Sequence, residues 1–406
     1  MISASVLPTM QLIRNADVYA PEPLGMQQLL LGGGKVVWMG ADLPSLPAQL
    51  QVEAIDLQGR RLIPGLIDGH VHVTGGGGEA RFSSRVPAPF LSRYTRAGVT
   101  SVVGLLGTDD VARSTRELVA SIHALREQGL NAWGYSGGYH LPPTTLTGSV
   151  RGDIVFIDAL LGVGEVAISD HRSSQPTLDE LLRLASEAHV AGLMTGKAGI
   201  VHLHLGDGAR GLELVRRAFD QSELPARVFN PTHVNRRKGL FEEAVELARR
   251  GSCIDITAEL PSGAPVEDGE DAWSAADALL RYLDSGAPPE RVTISSDAGG
   301  CLPCFDADGR VCGMGVGESG ALLTTLNELL GRGLPLPQAL PAFTSNPARL
   351  LRLAGKGVIA IGADADLVGL DPQGAAHEVL LGGVAHVRDG RVRRRGNFEG
   401  RDILAD

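Results

Sequence analysis

Between residues 62 and 350 the chain repeats one pattern: a short apolar run, then a longer segment with apolar residues three and four apart. The runs cover 62–73, 98–106, 130–136, 163–169, 199–205, 226–234, 253–259 and 292–297. Stretches such as "STRELVASIHALREQG", "TLDELLRLASEAHVAGLM", "GLFEEAVELARRG" and "DAWSAADALLRYLDSG" separate them and carry helical periodicity. Eight strands alternating with helices predict an α/β protein built on a closed parallel (β/α)8 barrel, with its chemistry at the C-terminal strand ends. Residues 1–61 and 352–406 differ, being short β-like runs broken by glycine. The two ends are expected to pair into one small β domain beside the barrel of residues 62–351.

Composition narrows the class of partner. The 406 residues carry a net charge of -10, and the longest basic run is "RVRRR" at 391–395, which argues against nucleic acid and anionic membrane. The N-terminus lacks a charged region followed by an apolar core, and nowhere do about 18 apolar residues run together. A soluble cytoplasmic protein is the expectation. Four cysteines, Cys253, Cys301, Cys304 and Cys312, are too sparse for a disulfide scaffold. The spacing of "CLPC" (301–304) suits zinc or redox chemistry, but a second ligand pair is missing.

The strand ends carry the chemistry. In "IPGLIDGHVHVTGGGGE" (63–79), His70 and His72 stand at i and i+2, so both side chains face one way, close enough to hold one ion. Glycines follow directly and let a backbone approach a ligand. The fourth strand end supplies Glu165, the fifth His202 and His204, the sixth His233 and the eighth Asp297. Of the fifth-strand pair, His204 is preferred because the strand-ending "LGD" follows it. Taken singly, Asp297 could cap a helix, Glu165 could pair with a buried cation and His233 could be a turn residue after Pro231. Five strands of one barrel all ending in such residues point instead to a shared site, and these nitrogen and oxygen donors suit zinc in sufficient number for two ions.

At this point the stretches "GHVHVTGGGGE", "GVTSVVGLLGT", "GGYHLP", "AISDHRS", "PTHVNR" and "TISSDAGG", with "GKGVIAIGADADLVGL" near the C-terminus, resemble the amidohydrolase superfamily. More narrowly they resemble its isoaspartyl dipeptidases, over nearly the whole chain and in order. The resemblance implies a (β/α)8 barrel with a β-sandwich, two zinc ions, a homo-oligomer, and hydrolysis of β-linked aspartyl dipeptides. By the same resemblance, His70 and His72 with Asp297 would hold one zinc, and His204 with His233 the other. Where the best-known members bridge the pair with a carboxylated lysine, this chain has Glu165. Its side chain is shorter by three atoms, or roughly 4 Å at about 1.3 Å per bond. Either the backbone around Gly164 comes closer or one metal is held less tightly. By the same resemblance, Cys301 stands where those members have a serine, which the resemblance implies would contact the substrate carboxylate.

The chemistry follows from that site. A zinc pair lowers the pKa of bound water from about 15.7 to around 7. The resemblance implies attack by a metal-bridging hydroxide on the isopeptide carbonyl, with Asp297 shuttling the proton to the departing nitrogen and Tyr139 donating to the developing oxyanion. The substrate that the resemblance implies is a small zwitterion. Glu79 has the sign to hold its ammonium, and Arg172 and Arg236 have the fork geometry to hold carboxylate. Gly77 and Thr108 would, by resemblance, add hydrogen bonds to the aspartyl carboxylate. The alternatives are another amidohydrolase of hydantoinase, dihydroorotase or N-acyl amino acid hydrolase type, and a non-catalytic barrel acting as a binding protein.

Overall fold

A computed structural model describes residues 10–43, 45–46, 50, 52–258, 272–305 and 311–400. Eight parallel strands form the barrel: β1 (Leu66–Val71), β2 (Val99–Gly104), β3 (Asn131–Ser136), β4 (Leu160–Ile168), β5 (Val201–Leu205), β6 (Phe229–Thr232), β7 (Ile254–Thr257) and β8 (Val292–Ser295). Strands β1 to β6 hydrogen-bond in sequence order, and β7 pairs with β8. Two seams complete the circle. Between β8 and β1, the His72 N–H donates to Ala298 O at 2.8 Å and the Ser296 N–H to Asp68 Oδ1 at 3.0 Å. Between β6 and β7 side chains do the joining: Asn230 Nδ2 donates to Cys253 O, Ser252 Oγ to Phe229 O and Thr232 Oγ1 to Asp255 Oδ2. Every residue of β2, β4 and β5 is buried, as expected for parallel strands covered on both faces.

The helices follow the predicted segments and pack by the expected spacing. In the helix Leu178–Thr195, Leu181, Leu184, Ala185, Ala188 and Ala191 are buried. Thr177 and Glu180 exchange bonds as a capping box, and Gly196 at φ 74 ends the helix.

The expected first strand, 62–73, is two strands. Arg61–Pro64 belongs to the end sheet, where it pairs antiparallel with Leu367–Leu370, and only Leu66–Val71 enters the barrel. The break falls at Gly65, where a Cβ would lie 2.1 Å from Thr100 Oγ1, so only glycine lets the chain cross from one sheet to the other this close to β2. The seventh expected strand ends at Thr257, and its predicted last residue, Glu259, lies outside the described residues. A hairpin of Cys301–Phe305 and Val311–Val316 follows β8 and was not foreseen.

The two chain ends meet in one nine-stranded sheet built from residues 10–64 and 367–392. It has its own core of Ile13, Val18, Leu29, Leu31, Val36, Leu62, Leu367 and Leu380. No helix among the described residues is long and apolar enough to cross a membrane.

One buried group of this sheet sets an acid limit on stability. His386 is fully buried and neither ring nitrogen has a partner among the described residues. Burial holds its imidazole neutral, with the pKa pushed down from 6.5 to about 4. The folded chain therefore binds fewer protons at this site than the unfolded chain between these values, and stability falls as pH drops from 6.5 toward 4. The whole contribution is roughly 3 kcal/mol. His386→Leu is expected to flatten the acid limb of the Tm against pH profile relative to wild type; parallel profiles would assign the acid limb elsewhere.

Candidate metal centre

Three strand ends deliver their site residues by leaving regular strand geometry at once. Ser169 follows β4 at φ 51, His233 follows β6 at φ 59 and Asp297 stands two residues past β8 at φ 53. These left-handed turns are costly for residues other than glycine, and such conformations concentrate at functional sites. Here they turn His233 and Asp297 into the barrel mouth, beside His70 and His72 from the end of β1.

Glu165 arrives by a β-bulge. Val201 of β5 pairs with Val163 of β4 and Leu203 with Val166, so Gly164 and Glu165 together oppose the single residue His202. A Cβ on Gly164 would lie 2.8 Å from the Cβ of His202, and glycine lets the bulged strand stay in contact. Bulges re-aim side chains beside active sites. This one carries the Glu165 carboxylate to all four histidines: Oε2 lies 3.1 Å from His204 Nδ1, 3.5 Å from His70 Nε2 and 3.6 Å from His233 Nε2, while Oε1 lies 3.6 Å from His72 Nε2. Asp297 Oδ1 completes the group at 3.1 Å from His72 Nε2 and 3.4 Å from His70 Nε2.

The six residues are at most 7% exposed. Burial would raise the Glu165 carboxyl, but facing His70 and His204 hold it well below the usual range. Asp297 is likewise held down by His70 and His72 against the effect of burial. Burial would lower His70, yet Glu165 and Asp297 push it up to about 9. Two ionised carboxylates thus draw a positive charge into a buried cluster, the demand that a metal ion meets by displacing that proton.

The hydrogen-bond network fixes which nitrogen of His70 faces the acids. Asn230 spends its amide on Cys253 O, so its Oδ1 accepts from His202 Nδ1 at 2.7 Å. His202 Nε2 then accepts from His70 Nδ1 at 2.8 Å. His70 Nε2 is left facing Glu165 and Asp297, where a metal would displace its proton, and neither it nor Asp297 Oδ1 has a hydrogen-bond partner among the described residues. His70, His72 and Asp297, and again His70, Glu165 and His233, each offer ligand atoms within 4.8 Å of one another. Orphaned buried donors of this type fit a metal. His202, stacked on Tyr135, thus stands behind His70, and His204 faces Glu165 directly.

Asp170 was not singled out from the sequence, yet it ties two expected functions together. Its Oδ2 accepts from His204 Nε2 at 3.1 Å and from Arg172 Nη2 at 2.7 Å, and Oδ1 accepts from Arg172 Nε at 3.0 Å. With Nε2 so held, His204 presents Nδ1 to Glu165. Carboxylates behind metal-binding histidines orient the ring, and losing one typically costs about 10- to 100-fold in metal affinity. Asp170→Asn is expected to weaken metal binding by about that factor in competition with a chromophoric chelator; unchanged affinity would remove Asp170 from this role.

Around the cluster, Tyr139 Oη lies 2.9 Å from His204 Nδ1, and burial with nearby Glu165 holds its hydroxyl well above the ordinary range. Arg172 stacks 5.6 Å over the Tyr139 ring and reaches Glu79 Oε1 at 3.7 Å; Glu79 Oε2 is buried without a hydrogen-bond partner among the described residues. Arg236 donates to Leu205 O at the end of β5 at 3.1 Å. Gly77, at φ 69, backs onto Ser84 O and the Cβ of Cys301. Cys301 is a half-buried free thiol that burial pushes up to about 11, and Cys253 is free and buried. The side chains of Cys304 and Cys312 lie outside the described residues. Thr108 is half-buried after β2, next to Gly107, where a Cβ would meet His72 Cε1 at 2.7 Å.

Known proteins resemble this chain over most of its length. The profile of the amidohydrolase family matches residues 61–390. The crystal structure of a β-aspartyl dipeptidase from the keratin-degrading thermophile Fervidobacterium islandicum AW-1, in complex with β-Asp-Leu, is 42% identical. It superposes with a TM-score of 0.91 and covers 97% of this chain and 100% of its own. A dihydropyrimidinase from Brevibacillus agri, 17% identical with a TM-score of 0.68 over 95% of this chain and 97% of its own, shares the fold. A deacetylase from Agrobacterium fabrum is 26% identical over 84% of this chain and 78% of its own. The chain belongs to the amidohydrolase family, and its kinship within that family is with the β-aspartyl dipeptidases.

Proposed function

We propose that this hydrolase cleaves β-aspartyl dipeptides with two zinc ions. His70, His72 and Asp297 would hold one ion, His204 and His233 the other, and Glu165 would lie between them. The observation that carries the reading is the Glu165 carboxylate within 3.6 Å of all four histidines, beside the Glu79 and Arg172 charges that suit a zwitterion. When bound, zinc supplies hydroxide at neutral pH and polarises the scissile carbonyl.

The side chains do the rest. Asp297, kept ionised and with Oδ1 unpaired among the described residues, takes the proton from the attacking water and delivers it to the departing nitrogen. The C–N bond breaks and aspartate leaves with a free amino acid. Tyr139, kept protonated, donates its hydroxyl to the oxyanion. Glu79 Oε2 takes the substrate ammonium, and Arg172 and Arg236 take carboxylates. Gly77, Thr108 and Cys301 would flank the aspartyl carboxylate. On this reading the barrel, from Leu66 to residue 351, holds the chemistry, and the end sheet forms the accompanying unit.

The test is hydrolysis of β-Asp-Leu beside α-Asp-Leu by zinc-loaded protein. Cleavage of the β-linked peptide alone is expected. No cleavage of it, or turnover of hydantoins in its place, would overturn the reading.

A further inference from the structure

A second group of cation ligands lies outside the barrel, in the end sheet. In the strand Ala376–Leu381, Glu378 pairs with Gly369 and Ala376 with Leu370, so His377 is an extra residue, a bulge. Successive side chains of a regular strand point to opposite faces, and the bulge frees His377 and Glu378 from that alternation. Asp389 closes the arrangement from the turn between Val384–Arg388 and Arg391–Val392: its N–H donates to Glu378 Oε1 at 2.9 Å, and the Gly390 N–H donates to His377 O at 2.9 Å. One ligand atom from each of His377, Glu378 and Asp389 lies within 4.8 Å of the others.

Two of these donor atoms are buried and make no hydrogen bond, although His377 Nδ1 lies 3.5 Å from Glu378 Oε1. Glu378 is 4% exposed, and neither its Oε2 nor His377 Nδ1 has a hydrogen-bond partner among the described residues. Both residues line a cavity of about 240 Å³ that Asp56 and Arg60 also border. Arg388 Nε stands 3.7 Å from Glu378 Oε2, too far to hydrogen-bond, and the Arg388 guanidinium is engaged by the Glu53 carboxylate. Burial accordingly pushes the Glu378 carboxyl up. A buried carboxylate oxygen and a buried imidazole nitrogen facing one cavity are costly unless something binds them.

We propose that His377, Glu378 and Asp389 form a further divalent-metal site, which fastens the bulged strand to the 388–391 turn. One imidazole nitrogen with two carboxylate oxygens suits zinc or manganese better than calcium or magnesium, and leaves a coordination position for water. This site is independent of the barrel chemistry and of the reaction proposed for it. The test is equilibrium dialysis of the full chain against micromolar zinc, comparing wild type with His377→Ala and Asp389→Asn. Asparagine tolerates the φ of 54 at residue 389, so the turn is kept in the second variant. Wild type is expected to retain one zinc per chain more than either variant, with turnover of β-Asp-Leu the same in all three, and zinc should raise the Tm of wild type more than that of the variants. Equal zinc content and equal Tm shifts in the three proteins would overturn the proposal, whatever number the barrel itself binds; so would an extra ion held only at millimolar zinc, which is an adventitious ion only.

Discussion

Asp297→Asn is expected to lower kcat/KM for β-Asp-Leu by about 10³- to 10⁴-fold while leaving the fold intact, the range general acid–base groups supply at its upper end. The replacement is nearly isosteric, and asparagine accepts the left-handed φ of 53 at this position. What it removes is the charge that His70 and His72 hold ionised, and with it the only proton acceptor assigned to the attacking water. The loss should fall mainly on kcat, because Glu79 and Arg172 keep their places. Steady-state kinetics on the zinc-loaded variant reads this directly. A loss below tenfold would mean that another group carries the proton.

Glu165→Gln is the second large effect. One carboxylate faces four imidazoles here, and an amide presents an N–H₂ group to some of the nitrogens that a metal should meet. A direct ligand should cost at least the about 100-fold in affinity seen for outer partners, so one ion per chain should be lost on dialysis. Activity should fall with it by on the order of 10³-fold, the scale of a removed electrostatic stabiliser. The carboxylate is also the leading reason that His70 stands at about 9. Without it the metal-free cluster should release its proton at lower pH, which imidazole NMR titration of the stripped variant would register. A variant with wild-type zinc content and activity would show that Glu165 is a buried ion-pair partner only.

How far these residues could be read without the fold depends on whether their placement is local. His70 and His72 were legible because a strand alone puts i and i+2 on one face. The barrel was legible because eight alternations leave few other architectures. Glu165 was legible as a residue but not as a reach: its access to four histidines depends on a bulge set by pairing with β5, thirty-odd residues on. Asp170 reads as an ordinary turn carboxylate in "SDHRS", and only the tertiary structure sets it between His204 and Arg172. The split at Gly65 depends on the close approach of Thr100, and the hairpin after β8 contains short runs that do not separate from loop by pattern. His202 and His204 were indistinguishable by face; the bond from His70 to His202 tells them apart.

The proposed action of the acid and imidazole groups at the barrel mouth is through two bound ions. It is tested most directly by stripping the protein with a chelator and following β-Asp-Leu hydrolysis as zinc is returned in measured equivalents. Activity should be absent at first and rise to a plateau once the barrel holds two zinc ions per chain, with His377→Ala used so that end-sheet binding is not counted. Undiminished hydrolysis by stripped protein, or none at any zinc loading, would contradict the account.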